Sequence, residues 1–205
     1  MDQLRIGRSW SGGGVLRCGR SRRRRWDLLT SIGEFVRYFE GVRRRTWAIV
    51  NCMTPQLLGW APRAGVFSCG DIVRHLAGAE RFFVTKIVED RWTDDLDPGP
   101  PLDYAATRAL LEAAHREEIP RLLALPDQRL REPLQDLAGG TVKAWRLLMA
   151  MAEHEVHHRS QLNSRLSAAG VDTPQLFGHR MEEVVARARG LRRGPRGEGG
   201  TPDAL

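Results

Sequence analysis

The sequence predicts an all-α protein: a four-helix bundle with a short extra C-terminal helix and disordered ends. Three observations predict it. Four long stretches place apolar residues at three- and four-residue steps. Pro, Gly and helix-capping residues separate those stretches. No run of alternating apolar and polar residues is long enough to build a sheet, so the layers have to be helix on helix.

A chain of 205 residues forms one domain, or two small ones, and can bury a continuous core. Its apolar fraction of 41% and charged fraction of 28% are those of a globular protein. No stretch approaches the roughly 18 to 20 uninterrupted apolar residues of a membrane span. The basic N-terminus is not followed by the apolar segment of a secretory signal, so the expected location is cytoplasmic. Cys18, Cys52 and Cys69 lack CxxC spacing and are odd in number, which argues against a disulfide framework and for reduced thiols, two of them buried.

The net charge of +7 invites a nucleic-acid reading. Its distribution removes the invitation. Residues 1–25 hold eight Arg and one acid, Asp2, whereas residues 26–205 hold 24 basic and 24 acidic side chains. The basicity belongs to a tail and the domain is balanced, so nucleic acid is not an expected partner of the domain.

In chain order, residues 1–25 are rich in Gly, Ser and Arg and cannot bury enough apolar surface to order themselves. They read as a disordered extension ahead of a domain at 26–189. The competing reading is a nucleic-acid-binding or targeting arm. The first helix, about 28–51, carries Leu28, Leu29, Ile32, Phe35, Val36, Phe39, Val42, Trp47 and Ile49. The loop 54–68 is broken by Pro and Gly, and Ser68 or Asp71 can cap the second helix, which runs to about Arg91. The segment "TDDLDPGPP" (93–101) ends that stretch.

The third helix is expected over about 103–125 from Asp103, with Pro120 kinking or splitting it. Residues 126–140 are irregular, with room for a brief strand pair. The long fourth helix is expected from about Thr141 to Ala169, closed by Gly170 and followed by Pro174. A short helix, about 175–189, completes the fold, and the Gly-, Pro- and Arg-rich residues 190–205 form a second disordered tail.

The chemistry concentrates in "HEVHHRSQL" (154–162), which holds three of the six histidines. At about 100° per residue, with His154 at zero, His158 falls at about +40°, Gln161 at about −20° and His157 at about −60°. Leu147, Met151 and Arg165 share the sector of His154 and His158, so this is the inward stripe of the helix. Imidazoles placed inward are costly unless each finds a partner. A pair at i and i+4 can converge on one cation. His75, mid-helix among Ile72, Val73, Leu76 and Ala79, is the candidate third ligand, and Ala77, Gly78 and Ala79 would let another helix approach closely. A lone inward His is more often a hydrogen-bonded core residue. Two stacked inward, with a third on another helix, bring a metal site level with that alternative.

The stretches "DIVRHLAGAERFF" and "HEVHHRSQLNSRLSAAGVDTP" together resemble the DinB/YfiT-like family of bacterial four-helix-bundle proteins over about residues 30–170. By that resemblance the metal ligands are His75, His154 and His158. Arg159 and Gln161 match the Arg and Gln of the family's motif, while Ser160 stands where the family usually has Gly. The resemblance implies a divalent metal (nickel, zinc or iron), since the first-row affinity order makes availability decisive. It also implies a homodimer.

Three imidazoles leave ligand positions open, as in a catalytic centre. Gln161 and Glu80 are candidate catalytic helpers. Glu153 and Glu155 are expected at the surface or behind the ligands, His115 in solvent, and His179 away from the pocket. Relatives that use mycothiol, bacillithiol or glutathione imply a transferase acting with a low-molecular-weight thiol. The alternatives are a metal-dependent hydrolase and, outside enzymes, a stress-associated binding protein or scaffold with a structural or vestigial metal.

Overall fold

The structure, a computed structural model, describes residues 29–193. Cys18, the Arg-rich segment 1–25 and residues 194–205 lie outside the described residues. The elements run α1 (Ile32–Val50), α2 (Cys69–Glu89), α3 (Tyr104–Leu123), β1 (Pro133–Gln135), β2 (Thr141–Lys143), α4 (Ala144–Ala168) and α5 (Met181–Arg193).

Local chemistry sets each boundary. Ser31 accepts from the Glu34 N–H at the start of α1. Ser68 and Asp71 both take part at the start of α2: the Ser68 hydroxyl accepts from the Asp71 N–H at 3.1 Å while the Asp71 carboxylate accepts from the Ser68 N–H at 2.7 Å. Asp103 caps α3 through the Ala106 N–H at 2.7 Å. At the end of α4, Gly170 adopts φ +83°, and the Val171 and Gly170 amides donate to the Leu166 and Ser167 carbonyls. Those two bonds form a Schellman motif, closed by the packing of Val171 on the Leu166 cluster.

Three expectations change. Pro120 does not split α3, which continues to Leu123. It sits in the last turn on the exposed side, so the one helical bond that it removes is lost where solvent replaces it. Residues 141–143 pair antiparallel with 133–135, Val142 opposite the buried Leu134, so α4 starts at Ala144 rather than Thr141. The last helix begins at Met181, not at 175, because Gly178 at φ +76° turns the chain just before it. Its side chains over 181–190 are exposed.

Helices α1 to α4 enclose two apolar clusters. One contains Phe35, Phe39, Val84, Ile87, Leu122, Leu148 and Met151, and the other Ile49, Met53, Ile72, Leu76, Leu111, Leu162 and Leu166. Arg43, Thr46, Glu80, Glu155 and Arg159 are buried at sequence positions between the two sets. A polar layer therefore crosses the middle of the bundle.

Of the small residues of α2, Gly78 serves a purpose other than the expected one. A Cβ on Gly78 would stand 1.7 Å from the Asp95 carbonyl oxygen, so Gly78 admits the loop after α2 rather than a helix. Arg74 donates to the Pro98 carbonyl at 3.0 Å, and Trp92 packs on Phe82 at 4.7 Å between centroids, which hold the same loop at its two ends. Gly78→Ala is expected to destabilise the protein by roughly 1–3 kcal/mol, because backbone has to move to relieve the clash. Gly190→Ala, which meets nothing within 4 Å, serves as the control. Thermal melts of the two variants check this, and equal midpoints would remove the close approach.

Candidate metal centre

The α4 stripe and α2 meet at three imidazoles. Nε2 of His75 lies 3.1 Å from Nε2 of His154 and 3.2 Å from Nε2 of His158. One nitrogen from each ring falls within 4.8 Å of the others. His75 is buried, and the other two are half-buried. The Phe67 ring stands 5.1 Å from that of His75 and the Phe83 ring 6.0 Å from that of His154, walling the cluster with apolar surface.

Hydrogen bonds behind the rings decide which nitrogens face inward. His75 Nδ1 lies 2.6 Å from the Leu96 carbonyl, which can only accept. The proton therefore sits on Nδ1, and the Nε2 of the neutral ring presents a lone pair. Likewise, His158 Nδ1–H donates to Gln161 Oε1 at 3.0 Å, and the Gln161 amide N–H donates to His157 Nε2 at 2.9 Å. Acceptor lone pairs facing one another at about 3 Å repel unless a cation lies between them. Nitrogens each 2.0–2.1 Å from one ion are separated by roughly 2.9–3.4 Å from octahedral to tetrahedral angles, and the two measured separations fall within that range. The donor set fits a divalent metal.

Electrostatics agree with this. Burial, reinforced by the neighbouring imidazoles His158 and His75, pushes His154 down to about 3. Burial and His75 push His158 down to about 4, against the pull of its bond to Gln161. Both rings are thus neutral, and so able to ligate, throughout the physiological range.

Gln161 reaches this site, but through the outer nitrogen of His158, where it positions the ring. Glu80 does not reach it. It is 1% exposed on another face of α2, where its carboxylate accepts from Arg43 at 2.6 Å and pairs with His115 Nδ1 at 2.8 Å. Arg43 Nε also faces Glu155 at 3.2 Å. Two expectations are corrected here. Glu155 is buried, 3% exposed, because its face of α4 turns toward α1 and Arg43. His115 is half-buried rather than solvated, bridging Glu80 and, at 3.1 Å, Glu40. Burial would lower the His115 pKa, but the bonded Glu80 carboxylate outweighs it and the pKa is raised. Glu153 is exposed and pairs with Arg146, and His179 is exposed beside Arg187 and Glu183. Cys69 is buried and Cys52 half-buried.

Sequence reasoning missed Arg43 and the Leu96 carbonyl. Arg43 carried a signal, lying four residues after Phe39 on the apolar stripe of α1. A backbone carbonyl in a loop carries none.

Residues 38–162, more than half of the chain, match the family model described as the DinB superfamily. Among solved structures, a DinB-like protein from Bacillus cereus is similar with a TM-score of 0.62 at 18% identity, covering 71% of this chain and 97% of that one. A DinB-like protein from Bacillus subtilis is similar with a TM-score of 0.58 at 20% identity, covering 70% and 96%. No curated protein matches.

The shifted histidines make the metal-free protein acid-sensitive. Above about pH 6.5 both rings are neutral whether the chain is folded or not, so they add no pH dependence. Below it the unfolded chain takes up protons that the folded one refuses, and stability is lost as pH falls through about 4 and then about 3. His115 has the opposite sign: its contribution is complete below 6.5 and is lost as pH rises through its elevated value. Melts from pH 7.5 to 4 are expected to show a steeper acid loss in the wild type than in His154→Gln/His158→Gln, and parallel curves would refute the assignment.

Arg43→Met removes the cation between two buried carboxylates, leaving Glu80 with His115 alone and Glu155 without an ion-pair partner, and is expected to cost about 3–5 kcal/mol. Adding Glu80→Gln and Glu155→Gln should recover much of that loss. Denaturant unfolding measures both, and a single-variant cost below about 1 kcal/mol, the value of an exposed pair, would contradict a buried network.

Proposed function

The chain belongs to the DinB superfamily, and from that footing we propose that it is a divalent-metal-dependent enzyme, a transferase working with a low-molecular-weight thiol. One observation carries the metal half of this reading: His75 and His158, each with its proton held on Nδ1, turn Nε2 lone pairs toward one another at 3.2 Å, and His154 Nε2 joins them 3.1 Å from His75. Nickel, zinc and iron(II) all suit three imidazoles.

His75, His154 and His158 would hold the ion, which when bound supplies Lewis acidity that lowers the pKa of a thiol or water reaching it. The chain's own residues do the rest. The Leu96 carbonyl and Gln161 lock the tautomers and orientations of His75 and His158. Phe67 and Phe83 exclude water from the flanks, lowering the local dielectric around the reacting group. The half-exposure of His154 and His158 supports an approach for a substrate, which a closed structural site would lack. Three protein ligands with open positions favour a catalytic over a purely structural ion.

Metal titration and a thiol-transfer assay test the proposal. Wild-type protein is expected to bind one ion per chain. Gln161→Ala should weaken binding roughly 10–100-fold, as loss of an outer hydrogen-bond partner does, and His158→Ala by more than that. Glutathione, bacillithiol and mycothiol are then offered to the loaded protein with an electrophilic acceptor. Full occupancy in His158→Ala would overturn the ligand set. Hydrolysis of ester or amide substrates with no thiol dependence would overturn the transferase in favour of a hydrolase.

A further inference from the structure

A shallow open groove of about 300 Å³ runs along the α4 face beside the histidines, lined by His157, Ser160, Gln161, Ser164 and Arg165. Its lining residues touch the histidine cluster from two sides. Gln161 bonds His158, and the ring of His157 lies 4.8 Å from that of His158. Nη1 of Arg165 donates to the Phe67 carbonyl and, at 3.4 Å, to that of Ser68, while the Phe67 ring packs on His75.

The lining is rich in donors and contains no acid. Ser160 and Ser164 offer hydroxyls. His157, whose Nε2 accepts from Gln161, is left with a donor on Nδ1. Three buried or half-buried arginines lack a carboxylate partner among the described residues; Arg108 bonds Asn51 and Arg159 the Val42 carbonyl, and of the three only Arg165 lines this groove. Arg43, Arg74, Arg121 and Arg129 each meet a carboxylate. Arg165 meets only backbone carbonyls among the described residues, through one of its three nitrogens, so its charge has no carboxylate partner there and its remaining N–H groups are open to a ligand. The neutral imidazoles beside it supply no negative charge.

We propose that this groove receives the anionic end of the substrate, a carboxylate held by Arg165, while the substrate's other end reaches the histidine-bound metal. The inference rests on the metal-centre reading and narrows it to carboxylate-bearing substrates. Arg165 is then a specificity-determining residue rather than only a clamp on the loop before α2.

The test uses the full chain loaded with cobalt(II), whose absorption reports direct ligation. Two pairs of probes are titrated: mercaptopropionate against mercaptopropanol, and imidazoleacetate against methylimidazole. In each pair the carboxylate-bearing member is expected to bind roughly tenfold tighter or better, the effect of one charge-assisted hydrogen bond. Arg165→Gln should abolish that preference while leaving cobalt affinity and the uncharged probes unchanged, and Arg165→Lys should restore part of it. Equal affinities within both pairs in the wild type, no binding by any of the four, or a preference that survives Arg165→Gln would overturn the proposal. A lowered melting temperature in Arg165→Gln with the preference intact would leave Arg165 a loop clamp and nothing more. If neither thiol shifts the cobalt spectrum while imidazoleacetate still outbinds methylimidazole, the thiol reading falls and the carboxylate groove stands. Failure of cobalt to bind would end both.

Discussion

The arrangement of the bundle depends on Arg43, a guanidinium 2% exposed and placed between Glu80 on α2 and Glu155 on α4. Charges this deeply removed from water are tolerable only when paired, and separating one from its partners is far more costly than any surface interaction. The three groups therefore tie the rotation and height of α1, α2 and α4 to one another. His115 brings α3 into the same network through Glu80. The apolar clusters on either side supply the bulk of the stabilising burial. Greasy surfaces alone tolerate sliding by a turn, and the polar layer does not.

This register determines the three-histidine cluster. Glu155 follows His154 directly, so turning Glu155 toward α1 turns His154, about 100° away, toward α2. His158 stands one turn further along the same face, opposite His75. The ion-pair network and the three-histidine cluster are thus neighbouring faces of one layer, and the first orients the elements that carry the second. Sites built on packed helices hold their geometry more closely than sites built on loops.

A loop nevertheless takes part. The segment after α2 returns across it at Gly78, where the absence of a Cβ lets the Asp95 carbonyl touch the helix, and the next residue, Leu96, supplies the carbonyl that fixes the His75 tautomer. One missing side chain on the helix thereby decides which nitrogen of an imidazole three residues earlier is free to ligate. Arg165 does comparable work on the other flank, joining the end of α4 to the segment that carries Phe67.

The amino-acid sequence by itself determined the four helices, the caps at Ser68, Asp103 and Gly170, and the inward stripe of His154 and His158, because each follows from local periodicity and from hydrogen bonds spanning a few residues. It also singled out His75 as an inward imidazole on a different helix. Tertiary structure alone decided that Glu80, equally inward, belongs to an ion pair rather than to the histidine cluster, and that Glu155 is buried. It alone turned residues 141–143 into a strand and chose the tautomer of His75. In each of these cases the deciding partner (Arg43, Leu134 or the Leu96 carbonyl) lies on another element. Periodicity can place a side chain on a face, but it is silent about what that face will meet.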